Sequence, residues 1–167
     1  MMKMIAFLLF VLAAFTGSGS VFAAEKIAFT PQTGFGGDSA GAGSLRFLLG
    51  KPRAFHVRSL GREQSNGTFR LEQRVTFAGK SPQDRVWIIS TVSPNRHVGT
   101  LSDASGPVTG TTSGPRLSLR YRIKGPIVMQ QELELRPDGT SIDNVGTITF
   151  LGNPIGRLHE IITRSIP

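Results

Sequence analysis

Gly37-Asp38-Ser39-Ala40-Gly41 has the G-x-S-x-G spacing of a serine nucleophile elbow. An elbow needs a strand before the serine and a helix after it, so that the hydroxyl stands at the crest of a doubly wound sheet. Here a glycine-rich segment surrounds Ser39, and the chain is short for a hydrolase fold. A trypsin-like order would place a histidine before the serine, yet His56, His97 and His159 all follow it. These histidines are isolated, without H-E-x-x-H or similar spacing, and read as structural or surface imidazoles rather than metal ligands. Glu132 and Glu134 share a strand face with arginines, which explains them better than acid–base chemistry does. Asp103 in "SDASG" and Asp138 in "RPDG" suit turns. The absence of cysteine removes thiolate nucleophiles, thiolate metal sites and disulfides. The expectation is a protein that is not an enzyme, with no catalytic residue, no metal and no cofactor.

The elements around these residues read as strands. In "TFRLEQRVTFAG", Phe69, Leu71, Val75 and Phe77 alternate with Arg70, Glu72 and Arg74, the two-residue period of a strand with one wet face. Asn66-Gly67 before it is a hairpin signal. A two-residue turn there would pair Phe69 with Gln64 and would need a bulge near Gly61 to keep Phe55 and Val57 on the same face. "RLSLRYRIK" sets Arg116, Arg120, Arg122 and Lys124 against Leu117, Leu119, Tyr121 and Ile123, and "VMQQELELR" returns with Glu132 and Glu134. Two registers remain open, Arg120 opposite Glu132 or Arg122 opposite Glu132. Either makes the cationic stripe a solvated, salt-bridged wall. Turn signals recur about every eight to twelve residues, as in a sandwich or barrel. "RLHEIITR" fits a helix or a strand.

The apolar run Met4–Phe15 follows Lys3, and small residues lead to Val21-Phe22-Ala23, the layout of a cleaved secretory signal. Its twelve residues fall short of the ~18–20 of a spanning helix. The expected organisation is a signal peptide over 1–23, a flexible Gly-rich lead-in over 24–43 and one β-barrel domain over 44–167. That places the protein in the periplasm or outside the cell, with no transmembrane helix once the signal is removed. The 167 residues carry a formal charge of +8, with fourteen arginines and five lysines. Such an excess favours anionic partners such as an envelope surface. Nucleic acid is not expected, because no recognised motif is present and one Trp and one Tyr offer little base stacking.

The order "LEQRVTF … DRVWII … HVGTLSDASGPVTG … LRYRI … PDG … FLG … GRLHEI" resembles a family of short proteobacterial exported proteins and lipoproteins of unknown function. The resemblance falls on Glu72, Val75, Arg85, Trp87, His97, Gly99, Asp103, Gly106, Gly110, Arg120, Tyr121, Asp138, Gly139, Gly152 and Gly156. It departs from the pattern at His97 and Ala104, and lacks the family's D-W pair and lipid-anchor cysteine. It implies a lipocalin-like (calycin) fold.

Periodicity and resemblance converge on an all-β, antiparallel up-and-down meander of about eight to ten strands closing into a lipocalin-like barrel. Its interior, an open pocket or a filled core, would be lined by the odd-numbered apolar residues. The function expected is binding of a lipid or other small apolar or amphipathic ligand, with envelope docking through the basic exterior as the alternative. The cavity candidates are Arg85, Trp87, Asp103, Leu117, Leu119, Tyr121, Met129 and Leu133. Arg85 or Arg120 would receive an anionic headgroup, and Asp103 would pair with a buried Arg85.

Overall fold

The computed structural model describes residues 27–165, so the expected signal peptide lies outside the described residues. Ten strands follow one short helix: α1 Pro31–Phe35, β1 Gly37–Phe47, β2 Arg53–Glu63, β3 Phe69–Phe77, β4 Gln83–Ser93 and β5 Arg96–Leu101. Then come β6 Val108–Ser113, β7 Arg116–Lys124, β8 Ile127–Leu135, β9 Ser141–Phe150 and β10 Asn153–Arg164. Each strand pairs antiparallel with the next, and β1 pairs with β10, closing an up-and-down barrel. Closure leaves no sheet edge exposed. Among the described residues no helix is long and apolar enough to cross a membrane.

Alternation decides which side chains enter the barrel. Phe55, Val57, Phe69, Leu71, Val75, Leu117, Tyr121, Met129, Leu133 and Leu135 are buried, while their even-numbered neighbours stay outside or half-covered. The parity survives the β2–β3 hairpin without any bulge. The loop runs from Gln64 to Thr68, pairing Glu63 with Phe69, and Gly61 pairs in register with Leu71. Asn66 Oδ1 accepts from the Thr68 backbone N–H at 3.1 Å, an Asx turn that lets Asn-Gly sit inside a longer loop. The two-residue turn and its compensating bulge are therefore both corrected.

The β7–β8 register also differs from both alternatives. Arg116 faces Glu134 with an ion pair of 3.1 Å, and Ser118 donates to Glu132 at 2.6 Å. A shift between Arg122 and Lys124 tightens the turn to Gly125-Pro126. The stripe is a wet wall, as expected, with its partners moved by a bulge that alternation cannot reveal. The last segment is strand β10.

The Gly-rich lead-in needs correction too. Gly37–Gly43 belong to β1, held by β2 on one side and β10 on the other. Glycine here supplies room rather than flexibility. A Cβ at Gly41 would overlap the Glu160 carboxylate, and one at Gly43 would press on the Phe55 ring and the β10 backbone. Upstream, α1 forms under a capping box. The Thr33 N–H donates to Thr30 Oγ1 at 3.0 Å and the Thr30 N–H donates to Thr33 Oγ1 at 2.8 Å, with Pro31 opening the helix. Phe35 and Phe29 stack edge-to-face at 5.5 Å and join the core, closing the barrel end where β2–β3, β4–β5, β6–β7 and β8–β9 turn. Arg164 fastens this plug by donating to the carbonyls of Thr33 at 2.6 Å and Gly36 at 3.3 Å.

Candidate functional site

The opposite end is open. A cavity of about 280 Å³ enters there between Leu45, Phe47, Phe55, Phe77, Ile123, Met129, Ile148 and Leu158, with Gln83, Arg85, Asp103 and Tyr121 as its polar lining. Alternation delivers these groups: Gln83, Arg85 and Trp87 are successive inward positions of β4, and Tyr121 and Ile123 of β7. Arg85 and Trp87 are set by one residue. Gln73 Oε1 accepts from Arg85 Nε at 3.0 Å and from Trp87 Nε1 at 2.7 Å, and Gln73 Nε2 donates to Ser59 Oγ at 3.2 Å. The guanidinium lies 5.8 Å from the Trp87 ring, and Trp87 meets Tyr121 edge-on at 5.4 Å. Arg85 enters none of the ion pairs among the described residues, so its terminal nitrogens stay available to the cavity it lines.

Deeper in, a chain of polar side chains crosses the barrel. The Tyr121 hydroxyl donates to Gln131 Oε1 at 3.2 Å, Gln131 Nε2 donates to Asn144 Oδ1 at 3.1 Å, and Asn144 Nδ2 donates to Glu160 Oε2 at 2.9 Å. Every donor points toward Glu160. Burial pushes the Glu160 carboxyl above its ordinary range, opposed by the Asn144 hydrogen bond and the positive charge of Arg85. Burial likewise pushes the Tyr121 phenol up to about 12. A hollow of about 30 Å³ lies among Gln73, Arg85, Trp87, Gln131, Asn144 and Glu160, room for one water on a set of polar partners. The interior is thus filled at its middle and open at its mouth.

Of the expected cavity residues, Arg85, Asp103, Tyr121 and Met129 line the mouth cavity. Trp87, Leu119 and Leu133 line the deeper hollow, and Leu117 faces the small space beneath α1. Asp103 lies on the exposed β5–β6 loop and forms no ion pair with Arg85, whose Nε is taken by Gln73. Arg120 is exposed on the outer wall opposite Gln130, which removes it from the cavity. Gln73, Gln131, Asn144 and Glu160 are the members that sequence reading missed. Gln73 and Gln131 were detectable as polar residues at inward positions, between Leu71 and Val75 and between Met129 and Leu133.

The histidines do not gather. His56 and His159 are exposed, whereas His97 is buried with Nδ1 3.1 Å from Thr91 Oγ1 and its basicity lowered by burial. Ser39 stands within β1 between Ser59 and Arg164, not at a strand-to-helix crest. Its buried hydroxyl has no hydrogen-bond partner among the described residues.

Among the solved structures that share the barrel are two of different origin. One is the S-type phycobiliprotein lyase CPES from Guillardia theta, with a TM-score of 0.66 at 6% identity over 82% of this chain and 91% of that one. The other is a protein of unknown function from the DUF3598 family of Nostoc punctiforme, with a TM-score of 0.62 at 13% identity. That match covers 85% of this chain and 51% of the other, so the chain spans about half its length. At such identities the likeness is one of fold. It nevertheless corrects the expectation that the protein is not an enzyme, because a barrel of this shape carries a lyase. The missing triad and metal spacing give no ground for setting catalysis aside. No curated protein sequence matches the chain. Residues 9–139, more than half of its length, match a family of proteins of unknown function, and the chain belongs to that family, DUF3833.

Proposed function

We propose that the barrel binds a small amphipathic molecule with an apolar body and an anionic head. The observation that carries this reading is the mouth cavity, apolar on its walls, with the Arg85 guanidinium, in none of the ion pairs among the described residues, at its inner end. The head would meet Arg85, held in place by Gln73, and the body would lie against Phe55, Phe77, Ile123 and Met129. About 280 Å³ is just below the ~300–1,000 Å³ of small-molecule sites, which suits a small amphiphile. The barrel shared with the two solved structures is compatible with a small ligand. The signal-like residues 1–23 support export to the cell envelope, which fractionation of cells making the tagged chain would check.

Titration with anilinonaphthalene sulfonate, an anionic amphiphile that fluoresces on burial, tests the site. One-to-one binding should weaken about tenfold to a hundredfold in Arg85→Met, the worth of a charge-assisted hydrogen bond. It should disappear in Ile123→Trp, which fills the mouth, and persist in Arg120→Met on the outer wall. Undiminished binding to Ile123→Trp would overturn the proposal.

A further inference from the structure

The open rim carries apolar side chains that nothing in the barrel covers. Leu49 is fully exposed, Leu48 is 68% and Leu151 is 70% exposed, and Phe47 and Phe150 stand beside them. These residues come from two loops far apart in sequence that the barrel closure places side by side. The Leu48 N–H donates to the Ile155 carbonyl at 3.1 Å, joining the β1–β2 loop to the start of β10. Leu151 itself holds φ +50, a left-handed conformation that costs a leucine and favours asparagine or glycine. An exposed leucine in that conformation serves neither packing nor turn geometry.

Charge gathers on the same rim. All three lysines among the described residues lie there: Lys51 in the β1–β2 loop, Lys80 in the β3–β4 loop and Lys124 at the end of β7. Arg46 and Arg157 face each other across β1 and β10 just below it, a like-charged pair that the barrel alone would disfavour. None of the ion pairs among the described residues includes any of these five. On the outer wall Arg70–Glu72, Arg74–Asp84 and Arg116–Glu134 pair, while Arg58, Arg62, Arg96, Arg120 and Arg122 enter none of the ion pairs among the described residues. The rim is set apart by joining unpaired cations to exposed apolar side chains. Apolar tips within a basic collar are complementary to one kind of surface, acyl chains beneath anionic headgroups.

We infer that the open end of the barrel docks on an anionic phospholipid bilayer, with Phe47, Leu48, Leu49, Phe150 and Leu151 entering the headgroup boundary and Lys51, Lys80 and Lys124 meeting the lipid phosphates. Phe47 belongs to both the rim and the cavity wall, so docking would turn the mouth toward lipid. This docking stands on the rim residues and is independent of what the cavity holds.

The cysteine-free chain allows a local test. An environment-sensitive fluorophore is attached to the full chain at Leu49→Cys, and at Val145→Cys on the outer wall for reference. Each is titrated with vesicles of phosphatidylcholine alone and of equal parts phosphatidylcholine and phosphatidylglycerol. The Leu49→Cys signal should shift to the blue on the anionic vesicles and be quenched by brominated acyl chains, and the Val145→Cys signal should do neither. Because the reading is local, vesicle binding through the apolar stretch Met4–Phe15 alone would not bury the Leu49→Cys probe against acyl chains. Adding Lys51→Gln with Lys80→Gln should raise the titration midpoint about tenfold or more. Leu151→Asn should raise it by a similar factor while melting no lower than the parent, which separates lost docking from lost fold. No shift at Leu49→Cys, equal shifts at both positions, or a midpoint indifferent to these variants would overturn the inference. A lipid-independent shift that grows with protein concentration would overturn it as well, assigning the rim to a second copy of the chain.

Discussion

Glu160 is a carboxyl at 6% exposure with Asn144 as its hydrogen-bond donor, and it enters none of the ion pairs among the described residues. Its raised pKa means that the folded state holds the proton more tightly than the unfolded chain does. The contribution of Glu160 to stability is therefore greatest in acid, falls as pH rises from the unfolded glutamate value of about 4.3 to the folded value, and levels off above it. Glu160→Gln keeps an acceptor for Asn144 and cannot ionise. It should melt higher than the parent at neutral pH and match it near pH 4. Thermal unfolding at both pH values checks this, and a variant less stable at neutral pH would show that the carboxylate is charged and held by partners. His97 slopes the other way. Buried with its basicity lowered, it costs stability as pH falls, so the comparison is best made in a shared His97 background. At this scale the sequence was half legible. The inward glutamines of β3 and β8 follow from alternation, but Asn144 and Glu160 do not, because the parity of β9 and the nature of the last segment were open.

Strand β1 shows why composition misled. Three glycines in the seven residues Gly37–Gly43 read as a flexible lead-in, yet Gly41 is what admits the Glu160 side chain into the barrel. Gly41→Ala should cost about 1–3 kcal/mol through overpacking. In a Glu160→Ala background the same glycine change should lose most of that cost, because the overlapping carboxylate is gone. Urea unfolding of the four chains gives the coupling, which contacting sites set at about 0.5–3 kcal/mol. Additive losses would count against the steric account and leave only the backbone preference. Hairpins taught a related lesson. Asn66-Gly67 marked a turn in the right place, but the Asx turn fixed a longer loop, and the bulge near Ile123 moved Arg116 onto Glu134. Turn residues locate a reversal and leave its length to local hydrogen bonds. Helix α1 went unseen because five residues give no periodicity, although its Thr30–Thr33 capping box was in the text of the sequence.

At the scale of the molecule the barrel is polarised, plugged by α1 at one end and open, apolar and basic at the other. The meander was legible from turn rhythm and two-residue alternation, since each strand pairs with the next. Closure was expected from periodicity and resemblance together, but not the pair that achieves it, because β1 and β10 lie more than a hundred residues apart and their sequences read as linker and as ambiguous. The family match ends at residue 139, before β9 and β10, yet the geometry makes both indispensable. Removing β10 would strip hydrogen bonds from β1 and β9 together, leaving two unpaired edges where the native barrel has none. It would also take away buried Ile162, partly buried Ile155 and Leu158, and the Arg164 contacts that hold the plug. A fully buried aliphatic side chain contributes about 1.5–3 kcal/mol against a typical total of ~5–15 kcal/mol, so these losses together are comparable with the whole margin. A chain ending at Gly152 should therefore show no cooperative thermal transition and should elute as an aggregate or expanded chain. A sharp transition and a compact elution volume would mean that nine strands can close or stand open without β10, and that the long-range ladder is not what completes the fold.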